Sequence, residues 1–374
     1  MKKVYYVSAG SDTIFSGIDR KIEDQLSVLK EYFECSHIIV RKVHVSLARK
    51  ILERLPLGSI KRAYNDALAS INEDADYIYI RKTLFDKGFI SFVRDIAFKC
   101  CRAKIIMEFP TYPYYRELIR QFELVPFYFK DLIWRKKLRK YVDVATTYSD
   151  DNNIFGIPTI QIMNGIVVDK IWLPERSKHI EKTDAAINLL AVAQMLPAHG
   201  YERVINGIAN YYQNKGKRNV MFHLVGDGPE CEIYRKITRK YGLEDNVIFY
   251  GLKTGMELDN IYSKADIGLG SFGGYKNHLY VSSALKIREY LAHGLPIVSG
   301  MKEDVFLKNK PEFYLELPNS PEDIDIERIV CFIDGIRRKY KRDELREIIR
   351  EYAKKTVDMR ITMKPIVDYM NGSE

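Results

Sequence analysis

The chain has 374 residues, enough for two α/β domains, and its 46% hydrophobic and 29% charged residues are those of a soluble globular protein. No run approaches the roughly 18–20 apolar residues of a membrane-spanning helix. Five cysteines with no C-x-x-C spacing exclude a zinc site or disulfide framework and read as reduced, mostly core thiols. The net charge of +9 sits in two stretches of the first half. Arg41, Lys42, Arg49, Lys50, Arg54, Lys61 and Arg62 face only Glu53, while Arg120, Lys130, Arg135, Lys136, Lys137, Arg139 and Lys140 face Glu123 and Asp131.

From the N-terminus, Val4 to Ser8 reads as a strand rather than a signal peptide, because Ser8-Ala9-Gly10-Ser11 follows at once. The chain is therefore expected to stay in the cytoplasm. Ile18 to Tyr32 has helical periodicity, and His37–Val40, Tyr77–Ile80, Lys104–Met107 and Val142–Thr146 read as further strands. The basic stretches between them carry Leu47, Ile51, Leu52 and Leu55, or Phe127, Tyr128, Phe129, Ile133 and Trp134. Basic amphipathic segments of this kind suit an anionic membrane surface, the alternative being plain solvated helix faces. No nucleic-acid motif accompanies the charge, so nucleic acid is not expected as a partner. Asp74-Ala75-Asp76 precedes a strand instead of ending one, so it reads as helix-terminal and solvated, not as a metal site.

A polar segment without period, residues 169–186, reads as a linker. A second alternating series follows, with strands Ile187–Ala193, Val220–Val225, Val247–Tyr250, Ile267–Gly270 and Pro296–Ser299. Its helices fall near Tyr201–Gln213, Pro229–Tyr241, Glu257–Ser263 and Ser283–His293, and the last stretch of chain is helical and charged. The expected fold is α/β, two doubly wound domains facing each other across a deep cleft at their carboxyl strand edges. The first domain covers 1–168, with a C-terminal helix at about 356–374 packing back on it, and the second covers 187–355.

Three helix starts suit a diphosphate. Ser8-Ala9-Gly10-Ser11 leading to Ser16-Gly17 offers backbone N–H groups, as an ordinary strand-to-helix turn also would. Ala193 to Arg203 ends a strand and opens a helix, with His199 and Arg203 four residues apart and placed to grip phosphate oxygens. Ser282 to Val298 places Ser283 as a helix cap and Gly294 as its terminator. There Lys286 and Glu289 lie one turn apart, a cation for phosphates and a carboxylate for ribose hydroxyls, or else a plain i,i+3 ion pair.

Leu285-Lys-Ile-Arg-Glu-Tyr-Leu-Ala-His-Gly-Leu-Pro-Ile-Val298 resembles the donor-site helix of the retaining GT-B glycosyltransferases of family 4. Glu289 matches the second Glu of that family's E-x7-E element, and Val281 stands where the first would fall. Val225-Gly-Asp-Gly-Pro229, Tyr250-Gly-Leu-Lys253 and Ile261-Tyr-Ser-Lys-Ala-Asp266 resemble further family segments, whereas Ala198 to Arg203 lacks the bases of R-x(5)-K-G. Met107-Glu-Phe-Pro-Thr-Tyr-Pro-Tyr-Tyr115 resembles a stretch of capsule and exopolysaccharide transferases, and Met163-Asn-Gly-Ile-Val-Val-Asp169 the family's N-G-x-x-x-D turn before the interdomain hinge. The resemblance implies the GT-B fold, metal-independent chemistry without a cofactor, and a UDP-sugar rather than GDP-sugar donor. It further implies transfer of a hexose or N-acetylhexosamine with retention, and the basic, aromatic stretches of the first half suggest a lipid-linked acceptor, a polyprenyl diphosphate carrying sugars, at the inner face of the cell membrane. The resemblance assigns Lys286, Arg203, His199 and Glu289 to catalysis. Gly17, Gly226, Leu252, Lys253, Ser283, Ala284 and Leu285 join Lys286 and Glu289 in donor binding. Glu108, Tyr112 and Tyr114 fall to the acceptor. A nucleotide-sugar epimerase or hydrolase on the same fold, or a partner subunit without turnover, are the alternatives.

Overall fold

Strands buried on both faces read as near-continuous apolar runs, and the first strand, β1 (Lys3–Ala9), is one: Val4, Tyr5, Tyr6 and Val7 are all buried. It is followed by β2 (Glu34–Val40), β3 (Tyr77–Arg81), β4 (Lys104–Phe109), β5 (Val144–Thr147), β6 (Asn153–Ile154) and β7 (Ile157–Gln161). They form one sheet in the order β2-β1-β3-β4-β5-β7-β6, parallel except for the β6–β7 edge pair. The computed structural model describes residues 1–10, 17–55, 57–115, 124–173 and 186–372. Ser11, Ser16, Arg120, Glu123 and most of the linker expected at 169–186 lie outside these.

Helices alternate with the strands. Gly17–Tyr32 buries Ile22, Leu26, Val28 and Leu29, with Asp19 in its first turn and Lys30 in its last, as the helix dipole favours. Lys87–Lys99 is capped by Asp86, whose carboxylate accepts from Phe89 N at 2.8 Å and from Ile60 N at 2.7 Å. Asp74 and Asp76 lie in a turn before β3, where Asp76 accepts from Lys3 N at 2.7 Å and Asp74 pairs with the Lys3 side chain. They fasten the amino end of the sheet.

The second series gives β8 (Ile187–Val192), β9 (Val220–Val225), β10 (Val247–Gly251), β11 (Ile267–Leu269), β13 (Ile297–Ser299) and β15 (Tyr314–Glu316), all parallel, in the order β10-β9-β8-β11-β13-β15. A two-residue ladder joins β12 (Val281–Ser282) to β14 (Lys302–Glu303). The chain falls into two units, Met1–Met163 with Thr362–Glu374, and Asn164–Ile361. The division comes after Met163 rather than after Val168. Ile166 N bonds Val357 O at 3.1 Å, Met359 N bonds Ile166 O at 2.7 Å, and Asp358 accepts from Val168 N at 3.1 Å, tying these residues into the second unit. The last helix, Lys364–Asn371, belongs with the first unit, where Lys2 donates to Met370 O at 2.6 Å.

In each sheet the chain builds outward on one side and then returns to the other side of its first strand. This puts a topological switch point between β1 and β3, and a second between β8 and β11. Of the five cysteines only Cys100 is buried, which corrects the expectation of mostly core thiols; Cys101 and Cys331 are exposed. Among the described residues no helix is long and apolar enough to cross a membrane.

Candidate functional site

At the second switch point the backbone just past β11 meets the loop after β8. Phe272 N donates to His199 O at 2.7 Å and Gly273 N to Ala198 O at 3.1 Å. Gly200 has φ +63°, and a Cβ there would lie 2.5 Å from Gly273 N, so the join requires glycine. Helix Leu285–Ala292 brings Lys286 beneath this join. Only 8% exposed, Lys286 donates from Nζ to Tyr201 Oη (2.9 Å), Gly270 O (3.0 Å) and Ser271 Oγ (3.1 Å). Burial lowers its pKa, while the charge of Glu303 works the other way. Glu303, buried in β14, is pushed up by burial despite the Ser299 hydroxyl and the charges of Arg288 and Lys286.

His199 adds no charge here. Burial, and then the positive Lys286, push its pKa down to about 3. Leu196 N donates to Nδ1 at 3.1 Å, which leaves the neutral ring's hydrogen on Nε2. Its ring stacks on Tyr201 with centroids 5.6 Å apart.

Arg203 is a correction. It is buried, and its guanidinium donates to three backbone carbonyls: Glu322 O at 2.5 Å, Phe272 O at 2.6 Å and Pro318 O at 3.3 Å. It struts the loops instead of offering a fork to phosphate. Ser283 is likewise not the helix cap: Ala284 holds that position, with Leu285 opening the helix. Ser283 Oγ donates to Asp304 at 2.7 Å. Glu289, half-buried, accepts from Tyr262 Oη at 3.0 Å, so it and Lys286 have different neighbours despite their shared helix.

Gly226 N bonds Gly251 O at 2.8 Å, and at φ +122° a Cβ would collide with Ala193 O, so this glycine draws the ends of β8, β9 and β10 together. Beyond β10, Leu252 is 78% exposed and Lys253 pairs with Glu257 at 2.8 Å. Gly17 opens its helix with nothing within 4 Å of its would-be Cβ. Sequence reasoning missed Tyr201, Arg288, Glu303 and Asp304. Arg288, fully buried, meets both Asp304 oxygens at 2.6 and 2.7 Å and Asn164 O at 3.0 Å. The available signal was an acidic pair, Glu303-Asp304, four residues past the end of an apolar strand.

The first switch point holds the residues expected at the acceptor. Glu108 is fully buried and accepts from Arg81 (2.6 Å), Tyr148 Oη (2.8 Å), Tyr79 Oη (3.1 Å) and Lys21 (3.4 Å). Burial alone would raise its pKa, but Arg81, Lys21 and the two phenols hold it at about 2. Tyr114 is buried and donates to Asp131 at 2.9 Å. Both side chains are committed within the fold, which corrects their assignment to direct acceptor contact; Tyr112 is half-buried beside Phe109, Tyr114 and Phe155.

The surface of this unit also carries the basic stretches. Helix Leu47–Arg54 exposes Leu47, Ile51 and Leu52 beside Arg49 and Arg54, with Leu55 and Leu57 exposed beyond it. Helix Val125–Trp134 exposes Phe129 and Ile133, and Lys136, Lys137, Arg139 and Lys140 follow at the surface. Lys130 is the exception: it is buried and donates to Glu53 O, joining the two segments.

Residues 186–322 match the family model described as Glycosyl transferases group 1. No curated protein matches the sequence. Among solved structures, HepE of Anabaena in complex with UDP is similar over 100% of both chains, with TM-score 0.65 and 14% identity. A glycosyltransferase from Rickettsia africae is similar over 100% of this chain and 99% of its own, with TM-score 0.62 and 13% identity. Sucrose-phosphate synthase from Thermosynechococcus elongatus is similar over 100% of both, with TM-score 0.61 and 15% identity. Likeness at these identities shows the fold, and the fold is GT-B: two Rossmann-like domains, the second matching the group 1 glycosyltransferases.

Proposed function

We propose that this protein is a glycosyltransferase that takes a hexose or N-acetylhexosamine from a nucleotide diphosphate, UDP in preference to GDP, and retains the anomeric configuration. The observation that carries the reading is Lys286, a buried cation at the carboxyl edge of the second sheet, inside the segment that matches group 1 glycosyltransferases. In such sheets ligands bind outside the carboxyl ends at the switch point. Leaving diphosphate accumulates negative charge, and a charge already fixed in a dry setting stabilises it without reorganisation. The Lys286 ammonium supplies that charge, the neutral His199 a hydrogen bond from Nε2, and Glu289 an acceptor for the ribose. This scheme routes no step through a metal or cofactor.

Sucrose-phosphate synthase and HepE, the latter solved with UDP, support a nucleotide-sugar donor as the shared chemistry of the fold. On the acceptor side, the exposed apolar and basic residues of the first unit support a lipid-linked saccharide met at the inner, anionic face of the cell membrane, in capsule or exopolysaccharide synthesis. Thermal stabilisation by a panel of UDP- and GDP-sugars tests the donor: a rise with UDP-sugars is expected, and no rise with any nucleotide sugar sinks the reading. For the acceptor side, neutralising Lys136, Lys137, Arg139 and Lys140 should weaken binding to vesicles containing anionic lipid by on the order of a thousandfold. Unchanged binding would rule that surface out.

A further inference from the structure

Two pairs of oppositely charged residues, buried except for the half-buried Asp304, lie side by side where helix Leu285–Ala292 meets the segment after β13. Arg288 and Asp304 close directly on each other. Lys286 and Glu303 do not. The Lys286 ammonium is turned onto Tyr201, Gly270 and Ser271. Glu303 takes the Ser299 hydroxyl on Oε1 at 2.7 Å, with the Ser282 hydroxyl also beside the carboxyl, and Oε2 is buried with no hydrogen bond of ordinary length among the described residues. Gly270 stands between the two. Its carbonyl accepts from Lys286, and a Cβ on it would lie 3.1 Å from Glu303 Oε1 and collide with Ser299 Oγ.

We infer that Glu303 is a positioning residue which, across the Gly270 backbone, holds Lys286 as the ammonium for the donor diphosphate; this rests on the site reading above. The reason is electrostatic. Three neutral acceptors solvate a buried amine poorly, and without a nearby negative charge it gives up its proton. The remaining groups around it cannot replace Glu303. His199 is neutral, the Tyr201 and Tyr290 phenols are pushed up by burial, and Arg288 is held by Asp304.

The sign is fixed. Glu303 raises the Lys286 pKa, so removing its charge lets that pKa fall further. Turnover that depends on the ammonium is then lost at lower pH. For Glu303→Gln we expect the descending limb of kcat against pH to move acidward. Turnover should drop about tenfold at about pH 8 and recover towards wild type at about pH 6, where one pKa unit corresponds to tenfold. The donor KM should change less. The titration of the Lys286 side chain, followed by NMR with labelled lysine and assigned by its loss in Lys286→Met, should move the same way.

A lysine midpoint unmoved by Glu303→Gln overturns the inference, as does a reduced turnover with an unshifted profile. A shifted midpoint with no transfer from any nucleotide sugar supports the pairing but overturns the site reading beneath it. Should Glu303→Gln not fold, Lys286→Arg decides: a guanidinium stays charged, so the descending limb should vanish, and its persistence refutes the role.

Discussion

The two switch points share a topology and differ in what their charges are for. At the first, two cations and two phenols converge on Glu108, whose oxygens are fully used and whose carboxyl is held at about 2. At the second, one cation and one carboxylate are kept apart by Gly270, each pushed by burial towards its neutral form, and among the described residues no hydrogen bond of ordinary length satisfies Glu303 Oε2. The first arrangement is closed and stabilises the fold. The second is strained electrostatically, and strain of that sort is found where chemistry needs a group poised to respond.

That contrast can be broken most forcefully at Glu108. Glu108→Ala removes the carboxylate shared by the half-buried Arg81 and the buried Lys21, at a cost of about 3–5 kcal/mol. Calorimetric or denaturant melting should show the first unit lost or severely weakened; a near-native midpoint would mean that the network is not structural. The next largest effect is expected at the other switch point. Lys286→Met should lower turnover tenfold or more while shifting the melting transition less than Glu108→Ala does. Full turnover in this variant would move the catalytic charge elsewhere.

Acid sharpens the comparison further. Glu108 has a folded pKa depressed from 4.5 to about 2, so its stabilisation is present above the unfolded value and is lost as pH falls through that window. Acid unfolding of the wild type should therefore lose a component that Glu108→Gln lacks. The smallest effect concerns His199. With its pKa near 3, it should contribute no limb of its own between about pH 5 and 7, and His199→Ala should cost turnover only a few-fold without shifting the profile. A limb that disappears in that variant would show that the ring is charged in the working enzyme.

Much of the architecture was legible because buried parallel strands are short apolar runs and the helices between them have clear periods. Val220–Val225 falls where expected to the residue, and Gly294 ends its helix because a Cβ would meet the Arg346 backbone at 2.6 Å. The β6–β7 hairpin and the β12–β14 ladder were not legible, since β6, β12 and β14 are two residues long and carry no pattern, and β7 has Pro158 within it. The site was read less well, for a physical reason. Arg203 looked like a phosphate grip, but its partners are carbonyls 69 to 119 residues away in sequence, which no local motif announces. Glu108 and Tyr114 sat in a recognisable stretch, yet burial commits them to Arg81 and Asp131. Lys286 was found because it lies on a helix whose end, at Gly294, is encoded locally. Glu303 was missed because only the sheet brings it beside Gly270.

The most direct test of the central claim is calorimetric titration of UDP into the wild type and into Lys286→Met. Binding to the wild type, weakened about tenfold or more in the variant, is the predicted result. Wild-type protein that binds no nucleoside diphosphate, or a variant that binds UDP as tightly as the wild type, would contradict it.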